Sequence, residues 1–107
     1  MKVLKNEKWK GGWFIGNFEP SSFKSNDFEV CFKQHPKGEN WPAHYHKIAT
    51  EINYLIRGKM TIKNELLQSG DVFIIQPLEI ADPEFLEDCE IIVVKTPCVK
   101  NDKYEVI

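Results

Sequence analysis

Apolar and polar residues alternate along much of this chain. The stretch Phe28-Glu29-Val30-Cys31-Phe32-Lys33 swaps character almost every residue, and a period of two places successive side chains on opposite faces of a strand. Such a strand suits a sheet with one buried face. Val72-Phe73-Ile74-Ile75 and Ile91-Ile92-Val93-Val94 are instead apolar throughout, as expected for strands covered on both sides. The pattern predicts strands over 13–18, 28–34, 44–46, 51–57, 59–63, 72–76, 84–86 and 90–95. Turn residues separate them: the segment from His35 to Asn40, then Lys63-Asn64-Glu65 and Ser69-Gly70-Asp71. No stretch carries a long helical period, and the short apolar group at Leu66 and Leu67 is closed off by Gly70. About eight short, evenly spaced strands predict an all-β sandwich or barrel.

Composition narrows the function. A chain of 107 residues fits one domain over 1–107, with 1–20 as an N-terminal arm and strand. Apolar residues make up 42% and charged residues 28%, the balance of an ordinary globular protein. The net charge of −2 and the lack of a basic run argue against nucleic-acid partners, which require a Lys/Arg-rich face. Residues 1–8 lack the apolar core of a secretory signal, and no segment is long and apolar enough to span a bilayer. Cys31, Cys89 and Cys98 are odd in number and form no C-x-x-C pair. They read as buried free thiols in a reducing cytoplasm, which is the expected location.

The chemistry gathers in His44-Tyr45-His46-Lys47-Ile48-Ala49-Thr50-Glu51. His44 and His46 leave the same face of a strand, and Glu51 opens the next strand after a turn. If that hairpin closes, two imidazoles and a carboxylate converge, a donor set suited to iron, manganese, nickel or zinc. Strand histidines can also be plain barrel-lining groups, but a buried glutamate without a partner would be costly to desolvate.

These residues resemble a family pattern. Gly38, five residues, His44-x-His46, four residues, Glu51, six residues and Gly58 is similar to the first motif of the cupins, over 38–58. The resemblance implies a double-stranded β-helix, or jelly-roll barrel, with His44, His46 and Glu51 as ligands to one divalent metal ion. The second motif, over 70–82, is degenerate. Gly70-Asp71, a hydrophobic strand and Pro77 match its opening, but Leu78-Glu79-Ile80-Ala81-Asp82 lacks the expected glycine and the fourth ligand, a histidine. Ala81 stands at the histidine's spacing. Asp82, one residue on, is the substitute candidate, and three protein ligands completed by water is the preferred arrangement.

Parity from Glu51 sends Asn53 and Leu55 inward, making Asn53 a candidate substrate-binding residue, with Trp41 at the pocket mouth. Tyr45 points away from the histidines. Glu79 and Asp82 are the acids available for proton transfer, and no catalytic residue is assigned. His35, before Pro36 in a turn-rich segment, reads as an exposed loop residue. Trp9, Trp13 and Phe14 give the arm an aromatic surface that predicts a homodimer, and 93–104 reads as a strand end and polar tail. The expected function is a metal-dependent enzyme acting on a small polar metabolite, with a sugar-related substrate the faintest suggestion. The alternative is a non-catalytic, small-molecule-binding or metal-free module.

Overall fold

A computed structural model describes residues 1–5 and 8–106. Ten strands are present among them: β1 (Trp13–Ile15), β2 (Glu29–His35), β3 (His44–Tyr45), β4 (Thr50–Arg57) and β5 (Lys59–Ile62), then β6 (Glu65–Gln68), β7 (Val72–Ile75), β8 (Glu84–Phe85), β9 (Cys89–Thr96) and β10 (Tyr104–Glu105). Strands and isolated bridges take 45% of the described residues and helix 3%, so the all-β expectation holds.

The large sheet has the order β1-β2-β9-β4-β7, and its strand pairs are all antiparallel. Two smaller sheets, β6-β5-β8 and β10-β3, form the opposing layer. Isolated bridges, Asn40 to Glu84 and His44 to Ala81, tie the short strands together without closing a barrel ladder. The core lies between the layers. Cys31, Leu55, Cys89, Ile91 and Val93 of the large sheet pack against Met60 of β5 and Phe85 of β8. Such interdigitation of two inner faces is what holds a β-sandwich together.

Two strands go beyond the eight expected. Lys63 and Asn64 both take positive φ, 50° and 63°, the geometry of a tight two-residue hairpin whose twist matches its strands. Leu66 and Leu67 therefore lie in β6, paired with β5. The tail also adds β10, where Tyr104 pairs with Tyr45 and the two rings stack 5.5 Å apart. Gly58, the last residue of the first motif, has φ 106°, and a Cβ there would lie 2.4 Å from the Asp88 carbonyl oxygen. Only glycine fits that β4–β5 turn.

The inner face of β2 is the polar one. Glu29, Cys31, Lys33 and His35 share a face with Val93 and Lys95 of β9, while Val30 and Phe32 turn outward. His35 accordingly is buried, stacked 4.2 Å from Phe85, which corrects the expectation of an exposed loop residue. The ring of Trp13 also turns inward, against Lys33 and Lys95. All three cysteines are free, and burial pushes the Cys31 thiol up to about 12.

Candidate metal centre

His44 and His46 flank Tyr45 at β3, and Glu51 sits near the start of β4. His44 exchanges both backbone hydrogen bonds with Ala81, at 3.1 and 2.7 Å. The intervening turn is held from the far end of the chain: the Asp102 carboxylate accepts from the backbone N–H groups of Lys47, Ile48 and Ala49 at 2.9–3.3 Å. Donor atoms of His44, His46 and Glu51 all lie within 4.8 Å of one another, a spacing that can hold one metal ion.

Hydrogen bonds set the tautomer of each ring. His44 Nδ1 donates to the Pro42 carbonyl at 3.1 Å, and His46 Nδ1 donates to the Asp102 carbonyl at 2.5 Å. A carbonyl only accepts, so both protons sit on Nδ1 and a neutral ring presents the Nε2 lone pair. Burial, reinforced by Lys103 and His46, holds the His44 imidazole below its ordinary range despite the Pro42 carbonyl and Glu51. Burial works to raise the Glu51 carboxyl, yet His46, Lys95 and His44 together keep it below the usual range.

The consequence is two lone pairs facing each other. His46 Nε2 and Glu51 Oε2 are 3.2 Å apart, both are buried, and neither has a hydrogen-bond partner among the described residues. Leaving such atoms unpaired costs about 1–3 kcal/mol each. A cation, a proton or a metal ion, satisfies two such facing acceptors. The donor set fits the metal that the first motif implies.

The residues of the second motif are placed differently. Ala81 is the direct cross-strand partner of His44 and is buried in the cavity wall, so the position of the expected fourth ligand carries only a methyl group. Asp82 is exposed, and its carboxylate accepts from the Lys63 N–H at 3.3 Å, outside the His44, His46 and Glu51 cluster. Glu79 pairs with Lys63 Nζ at 2.6 Å and also lies outside the cavity lining. Neither acid is placed for proton transfer at the centre. Leu78 takes φ 72° where the family pattern has glycine, and its N–H donates to the His46 carbonyl at 2.7 Å.

A cavity of about 240 Å³ opens beside the centre, lined in part by His35, Trp41, His44, Glu51, Asn53 and Ala81. Asn53 is buried there, and its Nδ2 has no acceptor among the described residues. Trp41 forms a wall, edge-on to His35 at 5.5 Å, and its Nε1 donates to Glu39. Glu39 also accepts from His35 Nδ1 at 3.1 Å. The sequence reading missed Asp102 and the lining lysines Lys33, Lys95 and Lys103. No local pattern marks them, since each depends on a contact made across the fold.

No family model matches this sequence, and neither does any curated protein sequence. Solved structures do match. A double-stranded β-helix protein from Klebsiella pneumoniae superposes with a TM-score of 0.69 at 18% identity, covering 77% of this chain and 72% of the other. The DMSP lyase DddQ from Ruegeria pomeroyi gives 0.73 at 17% identity, covering 88% of this chain but 49% of the lyase, so this chain spans about half of that protein. A cupin-2 domain protein from Shewanella frigidimarina gives 0.56 at 18% identity, with 67% and 72% covered. The fold is thus a double-stranded β-helix, as in these structures. Among the described residues, no helix is long and apolar enough to cross a membrane.

Proposed function

We propose that this chain holds one divalent metal ion on His44, His46 and Glu51 and acts on a small polar metabolite in the adjoining cavity. The observation that carries this reading is the buried, partnerless pair of His46 Nε2 and Glu51 Oε2 at 3.2 Å. Iron, manganese, nickel and zinc suit two imidazoles and one carboxylate. A bound ion of this kind supplies Lewis acidity to a substrate oxygen. The chain's own residues do the rest. Trp41 walls the cavity, Asn53 offers a neutral donor, and His35, oriented by Glu39, is the side chain able to carry a proton to or from a bound substrate. The cavity is smaller than the roughly 300–1,000 Å³ of drug-sized sites, which favours a metabolite. A neighbour named as a lyase makes elimination the first reaction class to assay.

Elemental analysis of the purified protein tests the metal directly. One equivalent of a transition metal in the wild type and none in His44→Ala is the expected result. Wild-type protein that stays metal-free after supplementation overturns it and leaves the non-catalytic module.

The expected homodimer is better served by another surface than the aromatic arm. Ile52, Tyr54, Val72, Ile74, Ile92 and Val94 share the outer face of the large sheet through direct cross-strand pairing, and Val72 and Ile74 are 55% and 52% exposed. We propose that a second copy covers this face: it is uncharged and therefore self-complementary about a twofold axis. Light scattering should report a dimer that Ile74→Glu dissociates; a wild-type monomer at high concentration excludes it. Three free thiols support a reducing, cytoplasmic setting.

A further inference from the structure

The cavity is cationic in a protein that is not. Its charged lining consists of Lys33, Lys95, Lys103 and Glu51, an excess of two positive charges in a chain of net charge −2. Cross-strand pairing explains the grouping. Lys95 lies directly opposite Glu51, on the same inner face, and Lys33 projects from the neighbouring strand β2.

Aromatic rings hold these ammonium groups in place, and two of the three have no ion-pair partner among the described residues. Lys95 Nζ lies 5.0 Å from the Trp13 ring centroid, and Lys103 Nζ lies 4.4 Å from that of Trp41. Lys33 Nζ reaches both rings, at 5.8 and 6.0 Å. Cation–π contacts of this length orient a lysine while leaving its charge available. Among the described residues, Lys33 and Lys103 have no carboxylate within ion-pair distance, and Glu29 is 3.9 Å from Lys95. Partial desolvation, with Lys95 and Lys33 adding to it, holds the Lys103 ammonium below its ordinary value despite Glu105 and Glu51.

An independent feature points the same way. Asn53 is 3% exposed and lines this cavity, yet its Nδ2 finds no acceptor among the described residues. It lies two residues from Glu51 and opposite Val93, so it is a diagonal neighbour of Lys95. A donor without an acceptor, in a cavity lined by three lysines, is an arrangement completed by an anion.

Resting on the reading of this cavity as the substrate site, we propose that its substrate is a small organic anion whose carboxylate or phosphate group sits among Lys33, Lys95 and Lys103, with Asn53 Nδ2 as the neutral donor. Three flexible ammonium groups provide charge without the planar fork of arginine. The anionic group lies next to the metal ligands because Lys95 and Glu51 are cross-strand partners.

Titration of metal-free protein with succinate and with inorganic phosphate, followed by tryptophan fluorescence, tests the site because Trp13 and Trp41 carry its lysines. Both probes should bind, more weakly as ionic strength rises, while glycerol should not. The Lys33→Gln/Lys103→Gln double variant should lose at least about tenfold in affinity. Lys33→Arg/Lys103→Arg should stay within about threefold. The exposed Lys103→Gln single variant guards against misfolding of the double, and should lose about threefold or more. Tighter succinate binding assigns a carboxylate and tighter phosphate binding a phosphate, and either supports the site. Absence of binding, or equal affinity in wild type and the glutamine variants within twofold, overturns it. Metal affinity is read separately by calorimetry, so failure of the metal reading leaves the anion result standing, and the reverse.

Discussion

The main-chain carbonyl of Asp102 accepts the Nδ1 proton of His46 at 2.5 Å across 56 residues of sequence. The same residue's carboxylate gathers three successive N–H groups of the turn that leads to Glu51. One residue of the C-terminal segment thus fixes both the tautomer of one candidate ligand and the approach of another.

Asp102→Ala leaves those N–H donors without their acceptor; that of Ala49 is buried, and an unsatisfied buried group costs about 1–3 kcal/mol. A loss of roughly 2 kcal/mol in urea unfolding is expected. Metal affinity should fall about 10–100-fold, as when a residue orienting a ligand is lost. Calorimetric titration at wild-type affinity would show that the turn holds its shape unaided.

The Asp102 carboxyl also gives an acid dependence. Burial works to raise it, but the N–H groups of Ala49, Lys47 and Ile48 prevail, with help from His46, and hold it below the usual range. A carboxylate depressed on folding contributes stability above its unfolded value, near 3.9, and loses it as pH falls through the lower folded value. The stability gap between wild type and Asp102→Asn should therefore be full at neutral pH and close below about pH 4. Chemical denaturation across that range measures it, and a constant gap contradicts the assignment.

Ala81 faces the cavity opposite His44, and Asp82 turns to Lys63. Ala81→His should restore a fourth donor and tighten metal binding by about tenfold or more. Asp82→Ala should leave affinity within about threefold. If Asp82→Ala alone abolishes binding, Asp82 is a ligand and the three-residue centre is incomplete.

Leu78 adopts φ 72° on an exposed turn. A left-handed conformation costs an L-residue about 1–2 kcal/mol, partly offset by the lower unfolded-state entropy of a non-glycine residue. Leu78→Gly should raise stability by up to about 1 kcal/mol, seen as a higher midpoint of thermal unfolding. A lower midpoint would mean that the leucine side chain contributes more than its backbone costs.

The sequence by itself determined eight of the ten strands among the described residues, the β class and the grouping of His44, His46 and Glu51. Those features are local: alternation within a run, and three candidate ligands within one short segment, survive without knowledge of the rest of the chain, although the expected hairpin does not form, since β3 pairs with β10 and β4 with β7 and β9. It misassigned His35 and left β6 and β10 out. A histidine beside a proline carries no record of the Phe85 ring it will stack on, and two-residue pairings such as Tyr104 with Tyr45 exist only once the partner strand is in place. The tertiary structure also decided which side of β2 faces inward. The enclosed space is partly a polar cavity rather than a continuous core, so Lys33 and His35 turn in while Val30 and Phe32 turn out, the reverse of burial by hydrophobicity alone. Asp102 and the three lysines belong to the same class of fact. Their roles come from segments far apart in the chain meeting in the fold, and no pattern of neighbouring residues encodes that meeting.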